Sequence, residues 1–170
     1  MGVLMRSLLI AAGLTALFPV AALADDPLGT GASTAPPGQQ AQSQAQLIER
    51  IRPEDFAAIL QKNGYRAQVQ TNKDQTYIET GMSGFTVDIV FYNCQSDGCS
   101  AIQFLMWGKS GIDAKFANNW NYNWRYTKMA LGDDGSFYFT MDVSLAGGVT
   151  LSNLLVDLDL YNNSLGKLKQ

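Results

Sequence analysis

From Phe85 to Trp107 apolar and polar side chains alternate, with Phe85, Val87, Ile89 and Phe91 on one side and Thr86, Asp88 and Val90 on the other. A period of two marks a strand that buries one face. Ser100 to Trp107 repeats the pattern, setting Ile102, Phe104 and Met106 against Ala101, Gln103 and Leu105. The two runs predict a hairpin, with Cys94 and Cys99 at the strand ends beside its loop. Shorter alternating runs precede it at Tyr65–Thr71 and Thr76–Thr80, separated by the turn cluster Asn72-Lys73-Asp74-Gln75 and followed by the paired glycines Gly81 and Gly84. The cleanest run is 137–145, in which Phe137, Phe139, Met141, Val143 and Leu145 share a side. Gly132-Asp133-Asp134-Gly135 joins it to a strand over Tyr126–Leu131, because Asp-Gly is a hairpin turn signal.

Helical spacing appears in three places. In PEDFAAILQKN, Pro53 suits the first helical position, Glu54 and Asp55 suit the positive end of the dipole, and Phe56, Ile59 and Leu60 form one stripe. Gly64 ends this helix. A second helix follows Gly108-Lys109-Ser110-Gly111, opened by Asp113, with Ile112, Phe116, Trp120 and Trp124 on one side. The third begins near Thr150, and Leu151, Leu154, Leu155, Leu158, Tyr161, Leu165 and Leu168 recur along it. The predicted order is α-β-β-β-β-α-β-β-α. That is an α+β domain over residues 47–170, an antiparallel sheet of five to six strands covered by helices.

The N-terminal region reads differently. Arg6, the apolar run Leu8–Val20 and the small-residue site Ala22-Leu23-Ala24 predict a cleavable signal peptide over residues 1–24. Pro19 and the short apolar run argue against a retained membrane anchor. Residues 25–46, rich in Pro, Gln, Ala, Gly and Ser, predict a disordered tether, since such a segment buries too little apolar surface to offset its ordering entropy. It lacks the proline spacing of a polyproline ligand. The protein is therefore expected in the periplasm or outside the cell, with no membrane attachment after cleavage.

Charge narrows the function. Twelve basic and fifteen acidic residues leave a net charge of −3, and losing Arg6 with the signal makes it −4. No cluster of Lys or Arg is available for nucleic acid or an anionic membrane. With no histidine in the chain, imidazole catalysis and His-ligated metal sites are excluded. Neither a cofactor site nor a catalytic set is predicted. Asp88, Asp142 and Glu79 are carboxylates whose convergence only a fold decides.

Cys94 and Cys99 in an exported chain predict one disulfide, contributing about 2 kcal/mol on chain-entropy grounds. A redox or metal pair is the alternative, but CxxC spacing and further soft ligands are missing. FANNWNYNWRY is the most unusual stretch. Asn118, Trp120, Asn121, Tyr122 and Trp124 form a candidate binding patch, because aromatic faces and amides suit polar ring ligands. The competing reading puts the tryptophans in the core and gives the asparagines to capping. Asp133-Asp134 is too short a loop for an EF-hand, Gly147-Gly148 lacks a phosphate-loop lysine, and the sequon Asn162-Asn163-Ser164 is a pattern frequent by chance.

Five pieces in this order and spacing resemble the YbjN domain, a family assigned to bacterial sensory transduction regulation. They are helix-Gly64-Tyr65, the hairpin FYNC…CSAIQF, Asn118, Trp120 and Asn121 as N-x-W-N, the turn Gly132–Gly135, and LAGGV from Leu145 to Val149. The resemblance implies a fold like that of type III secretion chaperones, protein binding through sheet or helix faces, often as a dimer, and no catalytic residues. Export and the cysteine pair depart from a cytoplasmic regulator. The expected function is a non-enzymatic, exported protein-interaction domain with an unidentified protein partner or a second copy of itself; the alternative is a small-molecule or glycan-binding domain using residues 118–126.

Overall fold

The computed structural model describes residues 46–109 and 111–168. The predicted signal peptide lies outside them, as does the tether apart from Gln46. In chain order the elements are β1 (Leu47–Ile48), α1 (Pro53–Lys62), β2 (Ala67–Thr71), β3 (Thr76–Met82), β4 (Phe85–Gln95), β5 (Gly98–Lys109), α2 (Ala114–Asn123), β6 (Lys128–Leu131), β7 (Ser136–Ser144), β8 (Val149–Thr150) and α3 (Leu151–Lys167). This is the predicted α+β order, with two additions. β1 and β8 pair as a separate two-stranded ribbon, each too short to leave a periodic trace in the sequence.

The main sheet is antiparallel, in the order β2-β3-β4-β5-β7-β6. The first four strands follow the chain. It then leaves through α2 to the far edge, and the Gly132–Gly135 turn brings β7 back against β5. Helix starts follow local chemistry. Asp113 Oδ1 accepts the Phe116 N–H at 2.7 Å, and Thr150 Oγ1 accepts the Asn153 N–H at 3.1 Å, so each side chain satisfies an end donor.

One sheet face carries the core. Ile78, Met82, Val87, Ile89, Ile102, Phe104, Met106, Phe139 and Met141 are buried there in one cluster with Phe56 and Leu60 of α1, Trp120 of α2, and Leu154, Leu158, Tyr161 and Leu165 of α3. All three helices thus feed the same face. At its centre Phe139 meets Trp120 edge-on at 5.2 Å and Tyr161 at 5.6 Å, while Tyr161 stacks on Phe104 at 5.3 Å. The buried Tyr161 hydroxyl donates to the Phe139 carbonyl at 2.8 Å, and burial pushes its pKa far above the ordinary tyrosine value.

Thr80 is out of place in this core, since its hydroxyl is fully buried with no hydrogen-bond partner among the described residues. A buried hydroxyl left unpaired costs about 1–3 kcal/mol. Thr80→Val keeps the shape and removes the orphan, so it is expected to raise stability by about 1 kcal/mol, read as a higher urea midpoint with an unchanged slope.

The hairpin tip is tied to the start of α1. Cys94 and Cys99 are directly opposed and form the predicted disulfide. Cys99 also exchanges backbone hydrogen bonds with Ile51, at 2.9 and 3.0 Å. The Arg50 guanidinium donates to the carbonyls of Asn93 at 3.1 Å and Gly98 at 2.8 Å and lies 3.5 Å from Asp97. The disulfide therefore closes a loop that also docks the helix.

Candidate functional site

The opposite face of the sheet carries no described helix, and strand register sets its side chains in rows. One row runs Gln68, Glu79, Asp88, Leu105, Thr140 and Lys128 from β2 to β6. A neighbouring row holds Tyr77, Val90, Gln103 and Asp142. On its other side Trp107 pairs with Tyr138 and Tyr138 with Ala130. An antiparallel sheet often leaves one face to water, and that face is ordinarily polar. Here Trp107 is 55 % exposed and Tyr138 38 %, beside the part-buried Leu105, and Tyr92, 43 % exposed, stands apart opposite Ala101.

Polar groups divide this face in two. At the β6 end they satisfy one another. Gln103 donates to Asp142 at 2.7 Å, Lys128 reaches the other carboxylate oxygen at 3.3 Å, and Tyr92 donates to Gln103 at 3.3 Å. At the β3 end Glu79 and Asp88 stand directly across from each other, and among the described residues neither has an ion-pair partner. Of the three carboxylates singled out in the sequence, two converge and Asp142 stays apart. Burial pushes the Asp88 carboxyl above its usual range; the Trp107 indole N–H opposes this, and the Glu79 charge adds to it.

A raised folded-state pKa means that protonation favours the fold. The stabilising contribution of neutral Asp88 is present below the ordinary aspartate range, about pH 4, and is lost as pH rises through the higher folded value. Asp88→Asn holds the group neutral at every pH. The variant is expected to be more stable than the parent at pH 7, with the gap closing near pH 3, as measured by urea unfolding at both pH values.

The five patch residues predicted on the second helix do not share one surface. Trp120 is 4 % exposed and its indole donates to Thr127 Oγ1 at 3.1 Å. Asn121 spans the outer edge of β6, accepting the Met129 N–H at 2.8 Å and donating to its carbonyl at 2.9 Å. It occupies groups that would otherwise pair with another strand. Asn118 and Tyr122 are exposed, Tyr122 at 89 %, whereas Trp124 stacks on Trp120 at 5.1 Å and is half-exposed. Positions 120 and 124 lie one turn apart and 122 falls on the opposite side, so the helical period separates the rings.

An aromatic hollow lies beyond the end of α2. The strand predicted from Tyr126 starts at Lys128, because Tyr126 takes φ 70° and the Thr127 N–H bonds to the Arg125 carbonyl at 2.8 Å. This γ-turn is a strained form that an aromatic residue seldom adopts. It holds Tyr126 in the open near Trp124, over a hollow of about 300 Å³ lined also by Leu160, Asn163 and Lys167.

The uncovered face was half visible in the sequence. Val90, Leu105, Trp107 and Tyr138 break the polar side of an otherwise regular alternation, and that is the signal for it. Among the described residues no group of three or more His, Cys, Asp or Glu is placed to hold a metal, and no helix is long and apolar enough to cross a membrane. Comparison with curated proteins finds no match to this chain. The profile of the YbjN family, described as "Putative bacterial sensory transduction regulator", matches residues 52–165, from the start of α1 to the last buried turn of α3. That span takes in the whole main sheet, α1, α2 and α3 as far as Leu165, and the chain belongs to the YbjN family.

Proposed function

We propose that this protein is an exported, non-enzymatic interaction domain with a regulatory or chaperone-like role, and that it binds a partner protein through the uncovered sheet face. The observation that carries the reading is the group of Trp107, Tyr138 and Leu105 on a face without a described helix. Aromatic side chains with a polar rim are the usual anchors of protein interfaces. The absence of histidine favours binding over catalysis, and the regulatory description of the family agrees with it. Export is supported by the predicted signal peptide and by the Cys94–Cys99 disulfide, a bond that persists in oxidising compartments.

The test is differential capture from an extract of the source organism, with the purified protein and a Trp107→Ser/Tyr138→Ser variant shown to be folded by circular dichroism. Proteins retained by the parent and released by the variant support the reading. Equal retention by both overturns it.

A second reading, small-molecule or glycan binding, is favoured by the Trp124–Tyr126 hollow, where backbone strain holds an aromatic ring in solvent. Strain of this kind persists where the surrounding structure over-determines it. Tryptophan fluorescence titrated with a panel of sugars, and lost in Trp124→Ala, is its test.

A further inference from the structure

We propose that the uncovered face takes its partner through an arginine side chain seated over the Glu79–Asp88 pair and against the Trp107 ring. The inference rests on the interaction reading above and names the chemistry of the partner. Glu79 and Asp88 are directly opposed on adjacent strands, which places their Cβ atoms about 5 Å apart. Like charges in that position destabilise a sheet, and here no adjacent residue in their row offsets them. Their row neighbours are Gln68 and Leu105. Of the cations on this face, Lys128 lies three strand spacings from Asp88, about 14 Å, and is engaged by Asp142, and Lys109 lies beyond Trp107 on β5, four residues from the Leu105 that faces Asp88.

The surroundings select the kind of cation. Trp107 presents an exposed ring beside Asp88, and Tyr138 extends the aromatic surface next to it. A guanidinium stacks on an aromatic face and spreads its donors over two acceptors, whereas an ammonium is a compact and strongly hydrated point charge. Arginine therefore fits better than lysine. Leu105 and the part-buried Thr140 beyond it suit an apolar residue flanking the arginine.

Charge also argues against a second copy of this chain on the same face. Glu79, Asp88 and Asp142 against Lys128 and Lys109 leave each face at −1. Face-to-face pairing would bring two such surfaces together, and like-charge juxtaposition suppresses association.

The probe is a short acetylated and amidated peptide in which arginine alternates with valine, with counterparts carrying lysine or glutamate instead. The purified protein is expected to bind the arginine peptide, with amide shifts confined to β3, β4, β5 and β7. Affinity should fall at least about tenfold in Glu79→Gln/Asp88→Asn, in Trp107→Leu, and for the lysine peptide, with no binding of the glutamate peptide. Rising salt should weaken it. The double variant removes an unfavourable pair and should remain folded, so loss of binding is not loss of structure.

Equal affinity in parent and double variant overturns the inference, and so do shifts mapping elsewhere. A dimer in sedimentation that Trp107→Leu abolishes overturns it in favour of a second copy. If proteins captured through Trp107 and Tyr138 are still captured by Glu79→Gln/Asp88→Asn, the arginine inference falls and the interaction reading stands. If capture does not depend on Trp107 and Tyr138, the interaction reading falls.

Discussion

Phe139→Ala is expected to lower the unfolding free energy by about 3–5 kcal/mol, a large share of the stability of a small domain. The ring is fully buried on β7 and meets side chains from two helices, Trp120 of α2 and Tyr161 of α3. Truncation removes the transfer free energy of the ring and leaves a cavity that neither neighbour fills by itself, because both are held by hydrogen bonds. Trp120 is bound to Thr127, and Tyr161 to the Phe139 carbonyl. Urea unfolding followed by tryptophan fluorescence measures the loss, and near-ultraviolet circular dichroism should weaken as the ring cluster loosens. A loss below about 2 kcal/mol, beneath the range for removing a large buried side chain, would show that the helices repack freely and that the core is softer than its geometry implies.

Gly98→Ala is expected to cost about 2–4 kcal/mol, combining backbone strain with steric overlap. Gly98 has φ 128°, in the region that side chains disfavour, and a Cβ there would lie 2.9 to 3.1 Å from the backbone atoms of Ile51. Those atoms cannot swing aside without breaking the Ile51–Cys99 pairing that docks the start of α1. The damage should therefore be local first. Amide exchange at Ile51 and Cys99 is expected to accelerate more than exchange in β7. Gly135→Ala is the control, having φ 79° but nothing within 4 Å of the added carbon, so it carries the dihedral cost alone, about 1 kcal/mol. Equal losses at the two glycines would remove close approach to Ile51 from the explanation.

The fold was legible where local chemistry and burial agree. In β4, β5 and β7 the alternation named the buried side, since one sheet face is dry and the strand period is two. Asp113 and Thr150 marked helix starts because capping is a contact with residues three positions on. Legibility failed at Tyr126, where apolar residues continue but the backbone turns through a left-handed residue before the strand begins. It failed again at Asn121, whose amide reads as a ligand contact in the sequence and is spent on the backbone of β6. An asparagine side chain offers the same donor and acceptor to a ligand and to a strand edge, so the sequence alone does not separate the two.

Element order, the α+β class, the core-facing side of each long strand and the pairing of the two cysteines were all readable from the chain without coordinates. They follow from periodicity, capping and turn chemistry, which act over a few residues. Other facts emerged only when the strands were assembled: β7 rather than β6 lies against β5, all three helices cover the same face, and Glu79 and Asp88 meet across a strand pair while Asp142 does not. Those facts depend on long-range register. A side chain's place along its own strand is fixed by the chain, but its neighbour across the sheet is chosen when the strands pair.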